Sequence, residues 1–178
     1  VTGASNGTGS SITQVLTATS NNIGEAVYSV TPTVGGCPGI PMLVTVRVNP
    51  IPVATANAAV TTICSSSTTD ITLTSSIAGT TFSWTVIQTG IFGASPGSGS
   101  TIAQTLTTVN STQGTVIYTI TPTFNGCSGA PIPITIIVNP KPEVFGSAAA
   151  TICSGETPNI SLFPSIAREL NNRITRLN

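Results

Sequence analysis

The chain has 178 residues, with no histidine, five acidic side chains and five basic ones, so its formal net charge is zero. Hydrolytic, phosphoryl-transfer and most metal-dependent enzymes need carboxylates, imidazoles or a lysine that converge in one pocket, and such residues are few and scattered here. Nucleic-acid binding needs a basic stripe, which this composition lacks. We therefore expect no catalytic centre, no cofactor, no metal site and no nucleic-acid partner.

A block of about ninety residues occurs twice in succession. Residues Val1–Pro50 align with Ile91–Pro140 at an offset of 90, and 23 of the 50 aligned pairs are identical. A second match, at an offset of 89, joins residues 62–65 to residues 151–154. Self-similarity at a fixed period indicates a tandem array, here about two permuted repeats. The most distinctive matches are Gly3-Ala4-Ser5 with Gly93-Ala94-Ser95, Tyr28 with Tyr118, and Gly36-Cys37 with Gly126-Cys127.

Two proline-rich links divide the chain. Asn49-Pro50-Ile51-Pro52 and Asn139-Pro140-Lys141-Pro142 share the pattern N-P-x-P, and each follows a strand-rich run. Proline has no amide hydrogen and fixes its own backbone angle, so two prolines one residue apart make a short, stiff link. We therefore predict the C-terminal part of one repeat at 1–50, a complete repeat at 51–140 and the N-terminal part of a third repeat at 141–166.

The complete repeat shows the two-residue alternation of half-buried strands. Residues 115–138 are also typical of a hairpin, with Asn125-Gly126 near its tip, where a positive φ costs little. About seven short strands in ninety residues indicate an all-β, Ig-like sandwich. The alternating positions are Ile71, Leu73, Ser75; Phe82, Trp84, Val86; Ile102, Gln104, Leu106; Val116, Tyr118, Ile120; and Ile132, Ile134, Ile136, Val138. The predicted core residues are Ile71, Leu73, Trp84, Leu106, Tyr118, Ile120, Ile134 and Ile136.

The last residues of the chain depart from the repeat. After Ala167 the alignment ends, and residues 167–178 replace what would be the strand of Trp84. Two interpretations remain: a docking helix, or a segment that is not native to the repeat. The abrupt break favours the second. The helical spacing rests on Ile166, Leu170, Ile174 and Leu177.

The ordered motifs of the chain resemble the PKD-like, immunoglobulin-like repeats of giant Bacteroidetes surface proteins, which include gliding-motility adhesins. The resemblance spans about residues 1–166 and implies tandem sandwiches, export by a type IX secretion route, and an extracellular filament with roles in adhesion and gliding. The motifs that carry it are Thr-Ile-Cys-Ser, Ile-Thr-Leu-Thr (71–74), Phe-Ser-Trp-Thr (82–85), Tyr-Thr-Ile-Thr-Pro-Thr (118–123), Asn-Gly-Cys-Ser-Gly (125–129) and Ile-Val-Asn-Pro (137–140).

The four cysteines occupy matching positions in the repeats. Cys64 and Cys127 fall in the complete repeat, and their counterparts in the partial repeats are Cys153 and Cys37. An oxidising exterior favours one disulfide per domain, so Cys64–Cys127 is the predicted bridge. There is a geometric objection, because a first turn and a last hairpin lie at opposite ends of an ordinary sandwich, beyond the ~7 Å limit on Cα separation. The bridge would require a short or displaced first strand.

Three functions compete on these observations. A structural and adhesive repeat of a cell-surface protein explains the array, the stiff links and the charge-poor polar surface together. A carbohydrate-binding module would need exposed aromatic side chains, and most of the eight aromatic residues fall at strand positions. A spacer in a secreted multidomain enzyme fits equally well. The expected partners are neighbouring repeats of the same protein and surface glycans. Two interpretations of the partial repeats remain: head-to-tail strand complementation between chains, or the continuation of one longer array whose missing strands lie outside this sequence. No apolar run approaches the ~20 residues of a membrane span.

Overall fold

The computed structural model of the chain describes residues 1–146 and 149–166. Within them it has eighteen strands and no helix, which confirms the all-β prediction. The divergent tail at 167–178, including the helical spacing predicted for Leu170, Ile174 and Leu177, lies outside the described residues.

Residues 51–140 contain twelve of the eighteen strands, and five of these twelve are only two residues long. The twelve are β5 (Ala54–Ala58), β6 (Thr62–Cys64), β7 (Ser67–Thr68), β8 (Ile71–Ser75), β9 (Thr81–Thr89), β10 (Ile91–Phe92), β11 (Gly97–Ser98), β12 (Thr101–Ile102), β13 (Thr105–Thr108), β14 (Gly114–Phe124), β15 (Cys127–Ser128) and β16 (Ile132–Asn139). Before them lie β1 (Gly24–Val30), β2 (Thr33–Val34), β3 (Cys37–Pro38) and β4 (Met42–Val48), and after them β17 (Val144–Gly146) and β18 (Leu162–Pro164).

The strands of residues 51–140 form a sandwich of two layers. One layer is a sheet with strand order β11-β9-β14-β16-β6, in which β15 extends the hairpin by pairing with β14. The other layer consists of two three-stranded sheets, β12-β8-β5 and β10-β13-β7. β9, β14 and β16 pair antiparallel, whereas β6 runs parallel to β16. The first strands of the repeat therefore contribute to both layers.

Alternating apolar side chains fill the space between the layers, as two-residue periodicity requires. The predicted core residues Ile71, Leu73, Trp84, Leu106, Tyr118, Ile120 and Ile136 are buried, and Ile134 is partly buried against them. The same cluster contains residues that were not among those eight: Ala54, Ile63, Phe82, Ile91, Ile102, Val116 and Val138.

The stretch predicted as one strand at 102–106 is divided in the structure. β12 pairs with β8 and β13 pairs with β7, so the two halves belong to different sheets. Between them the Gln104 N–H donates to the Thr69 hydroxyl at 2.9 Å, and that hydroxyl donates to the Ile102 carbonyl at 2.9 Å. The Thr69 N–H also donates to the Gln104 carbonyl at 2.9 Å, so the backbone and the side chain of Thr69 together hold Gln104 at this step. Periodicity does not reveal the break, because Ile102 and Leu106 both stay buried.

The partial repeats reproduce the strand pairings of the complete one. Gly24 lies opposite Val48 between β1 and β4, as Gly114 lies opposite Val138 between β14 and β16. In β17 and β18, Val144 lies opposite Pro164, which matches Ala54 opposite Ser75 between β5 and β8. The domain boundaries at 50/51 and 140/141 stay a prediction.

Replacing Trp84 with alanine should lower the free energy of unfolding by about 3–5 kcal/mol, because truncating a buried aromatic side chain leaves a cavity. Trp84→Phe is the matched variant: it keeps much of the ring volume but loses the bond from the indole Nε1 to the Ser95 carbonyl at 3.1 Å. We expect it to cost less than the alanine variant. Chemical denaturation followed by far-UV circular dichroism measures both, and a stable Trp84→Ala protein would contradict the core placement.

Candidate functional site

A glutamine holds the glycine-rich loop 93–100 against the sandwich. Gln104 Nε2 donates to the Ser95 carbonyl at 2.8 Å, and Gln104 Oε1 accepts from the Ser95 N–H at 3.0 Å. The hydroxyl of the buried Tyr118 donates to the same Oε1 at 3.0 Å. Ser95 is thus held by the repeat itself, and the loop connects strands of the sandwich.

The same network occurs in residues 1–50. Gln14 Nε2 donates to the Ser5 carbonyl at 2.7 Å, Gln14 Oε1 accepts from the Ser5 N–H at 3.0 Å, and the Tyr28 hydroxyl donates to that Oε1 at 2.9 Å. All three residues are displaced by 90 positions from their counterparts. A network present in both copies is a structural element of the repeat.

Burial raises the pKa of the Tyr118 phenol above its ordinary value of 10.0, and the smaller, opposite effect comes from the Thr69 side chain, which lowers it. The folded state therefore favours the neutral phenol over the phenolate.

The chain enters the complete repeat beside the last hairpin, at what we term the proximal end, comprising Asn49–Pro52 and Asn125–Gly129. Pro50 and Pro52 are buried. A Cβ on Gly129 would lie 1.9 Å from the Pro52 carbonyl oxygen, so link and hairpin are in close contact. Asn49 Nδ2 donates to the Asn125 carbonyl at 3.3 Å. This bond joins the first residue of the link to the sandwich after it.

The hairpin turn at the proximal end has the geometry that its sequence predicts. Asn125 and Gly126 have φ angles of 46° and 81°. Positive φ at both central residues is the requirement of a type I′ turn, which matches the twist of the flanking strands. The counterparts Gly35 and Gly36 have φ angles of 56° and 84°.

The chain leaves the repeat at the opposite end, which we term the distal end, comprising Cys64–Ser66 and Asn139. Asn139 is the last residue of β16 and lies in register with Cys64. Its carbonyl accepts from the Ser65 N–H at 2.7 Å, and its Oδ1 accepts from Gln113 Nε2 at 2.7 Å. The buried Ser65 hydroxyl accepts from the Thr108 N–H at 3.0 Å. The last strand and the first turn are thus tied together before the next link.

An open cavity of about 450 Å³ lies at the distal end, between the sandwich and β17–β18. Its charged side chains are Lys141 and Glu143, and Phe145 is its aromatic side chain. Sugars often stack on aromatic side chains, and the single ring of Phe145 offers little surface for such stacking. In the part of the chain that the structure describes, no cluster of three or more His, Cys, Asp or Glu residues could hold a metal ion. The remaining lining residues are Ser65, Ser66, Thr108, Asn110, Ser111, Pro140 and Ser165.

The structure places the two predicted disulfide partners at opposite ends of the sandwich. Cys64 lies opposite Asn139 at the distal end, and Cys127 lies opposite Phe124 in the proximal hairpin. β16 runs between these ends and spans about 23 Å at ~3.3 Å per residue, far beyond the ~7 Å limit for a bridge. All four cysteines, Cys37, Cys64, Cys127 and Cys153, are free thiols. The prediction of a Cys64–Cys127 bridge within one repeat is therefore wrong.

The fold and its two ends define an Ig-like β-sandwich that is joined to its neighbours in series. The PKD-like domain model matches residues 1–52 and 61–142, and the chain belongs to the PKD-like domain family. Domains of this family are structural repeats that typically occur in extracellular proteins and are generally non-catalytic. No curated protein matches the chain. Among residues 1–146 and 149–166 we find no helix of the length and apolar character that a membrane crossing needs.

The free energy of unfolding should fall as the pH rises above 10, and Tyr118→Phe should reduce that fall. The unfolded phenol ionises near its ordinary pKa, while the folded phenol ionises only at higher pH. The contribution of Tyr118 is therefore complete below the unfolded pKa and is lost as the pH passes through the folded pKa. Urea titrations between pH 8 and pH 12 measure this dependence. Equal slopes for the parent and Tyr118→Phe would contradict the assignment.

Gly129→Ala should destabilise the proximal end by about 1–3 kcal/mol, as overpacking does. The added methyl group would collide with the Pro52 carbonyl oxygen. This is a backbone atom, which cannot move aside as the end of a flexible side chain could. Gly7→Ala is the matched control, because a Cβ at Gly7 has no atom within 4 Å. Thermal unfolding of both variants gives the comparison, and equal melting temperatures would disprove the close packing of link and hairpin.

Proposed function

We propose that these repeats extend a large secreted protein outward from the cell surface, as part of an adhesin or filament that acts in adhesion or gliding. The observation that supports this most directly is that the chain enters and leaves the sandwich at opposite ends. A module with this geometry adds its own length to an array. The resemblance to repeats of giant Bacteroidetes surface proteins, and to gliding-motility adhesins among them, supports the same function, with export by a type IX secretion route.

The links favour an extended array with limited bending. Pro50 and Pro52 restrict the backbone at the first link and are both buried. The bond from Asn49 to Asn125 adds a contact between the first residue of that link and the sandwich that follows it. An array of stiffly joined modules reaches further from a surface than a flexible chain with the same number of repeats.

The surface of the repeat suits a structural task outside the cell. Serine, threonine and asparagine make it polar with few charges, and the ion pair between Arg47 and Glu25 at 3.0 Å is exposed to solvent. Exposed ion pairs contribute little to stability, typically ~0–1 kcal/mol. We therefore assign the function to shape and connectivity, with no catalytic step and no cofactor.

A spacer role in a secreted multidomain enzyme is supported by the same opposite-end geometry. Glycan binding has less support, because the Trp84 ring is buried in the core and cannot stack on a sugar. A glycan site would have to use the exposed rings of Phe92, Phe145 or Phe163.

Residues 1–50 expose apolar side chains whose counterparts in the complete repeat are buried. Ile12 is 47% exposed against 0% for Ile102, and Val30 is 39% exposed against 0% for Ile120. In the complete repeat these positions pack against strands from the first half of the same repeat, such as β8 with Ile71 and Leu73. The face on residues 1–50 is therefore shaped for the first half of a repeat.

We propose residues 141–166 of a second copy of the chain as the segment that covers this face. They correspond to the first strands of a repeat, and their β17–β18 pair has the register of β5–β8. Such a contact uses different surfaces on the two molecules, so it would continue head to tail. Sedimentation of the 178-residue chain against residues 51–140 tests this. Compact monomers in both cases would refute exchange between chains.

Insertion of a second copy of residues 51–140 directly after Pro140 should increase the maximum particle dimension by about 33 Å, because the eleven residues of β14 span ten steps of ~3.3 Å. Small-angle X-ray scattering measures the increase. The control replaces Pro140 and the inserted Pro52 with glycine, which should broaden the distance distribution. An increase far below the length of one sandwich would show that the repeats fold back on one another.

Antibodies raised against residues 51–140 separate an adhesin from an enzyme spacer. They should label intact source cells and reduce cell attachment to a surface if the repeats belong to an adhesin. Labelling without any effect on attachment would favour the spacer, and labelling only after permeabilisation would contradict the surface location.

A further inference from the structure

The two cysteines of the complete repeat lie at the two ends where repeats are joined. At the distal end Cys64 is in register with Asn139, the residue before Pro140 of the second link. At the proximal end Cys127 lies two residues after Asn125, whose carbonyl accepts a hydrogen bond from Asn49 of the first link. Cys64 is therefore in register with a link asparagine, and Cys127 lies two residues from the hydrogen-bond partner of the other.

Repeat symmetry relates these two ends. Asn49 and Asn139 are counterparts in the two N-P-x-P links, at an offset of 90. In an array, the Cys64 position of one repeat lies beside that repeat's link asparagine. The same asparagine bonds to the Asn125 position of the next repeat, two residues before its Cys127 position. One junction thus holds a Cys64-position cysteine and a Cys127-position cysteine from consecutive repeats, both near the same link asparagine.

We propose that Cys64 of one repeat and the Cys127-position cysteine of the following repeat form a disulfide that closes the junction between them. Cys64 is exposed and Cys127 is half-buried, so a soluble oxidant reaches both. The first junction of this chain holds Cys127 and the second holds Cys64, one member of the pair at each.

The chemistry is thiol–disulfide exchange with a small disulfide such as oxidised glutathione. One cysteine thiolate attacks the glutathione disulfide, forms a mixed disulfide and releases one glutathione thiolate. The second cysteine thiolate attacks the mixed disulfide at the protein sulfur and releases the second glutathione thiolate. Two protein thiols are oxidised, one glutathione disulfide is reduced, and the two protons lost by the protein thiols go to the released thiolates or to buffer.

The bond has a mechanical consequence for the array. It would connect the first turn of one repeat to the last hairpin of the next, beside the proline link that joins the same two repeats. Two connections at one junction restrict bending more than one does. The inference requires only a tandem array, so it stands even if the adhesive function proposed above is wrong.

The test inserts a second copy of residues 51–140 after Pro140. This creates the sequence Asn139-Pro140-Ile51-Pro52, which has the same residues as the natural Asn49–Pro52 link. The folded protein is equilibrated with reduced and oxidised glutathione, its free thiols are alkylated, and peptic peptides are mapped by mass spectrometry. We expect one disulfide, from Cys64 of the first copy to Cys127 of the second, and four alkylated cysteines.

Two serine variants provide matched controls. Cys64→Ser in the first copy should abolish the disulfide, while Cys64→Ser in the second copy should leave it intact. A chain with two inserted copies should form two such bonds. A Cys64–Cys127 bond within one copy would overturn the proposal. So would six alkylated thiols in a protein whose circular dichroism shows the parent's β-structure.

Discussion

The hydrogen bond between the Tyr118 hydroxyl and Gln104 connects the core of the repeat to its loops. A phenol buried among apolar side chains needs a partner, because an unsatisfied polar group in a core costs ~1–3 kcal/mol. Gln104 provides that partner and at the same time holds Ser95, so one side chain fixes the loop over the Trp84 ring. In the described residues no buried side-chain polar atom lacks a hydrogen-bond partner.

The recurrence of this network shows what the repeat preserves. Ser5, Gln14 and Tyr28 reproduce it in residues 1–50, although several apolar side chains there are exposed. All three residues of the network belong to the second half of a repeat, so the network forms without the strands of the first half. The network therefore holds the loop in place within the second half of each copy. Burial of the apolar face depends instead on the strands of the first half, which cover it.

The functional features of the repeat lie at its ends and not on its faces. The proximal end packs a proline link against a type I′ hairpin, and the distal end ties Asn139 to the Ser65 turn. Both are contacts between segments far apart in sequence, made by uncharged groups. In the function proposed above, the protein acts through the distance and angle between its modules, a task that requires few charged side chains, and the sequence has only five acidic and five basic ones.

The period of the repeat, the strand alternation and the Asn125-Gly126 turn are local patterns, so the all-β class and the core positions of Ile71, Trp84 and Tyr118 follow from the amino-acid order alone. The break at Gln104 does not, because it depends on the Thr69 hydroxyl, 35 residues away. The sequence raised the objection that Cys64 and Cys127 lie at opposite ends of a sandwich, but only the folded chain decided between that objection and a bridge. Spacing counts residues between two thiols, whereas a disulfide depends on their distance in space, and that distance is set by which ends of the sandwich the first turn and the last hairpin occupy.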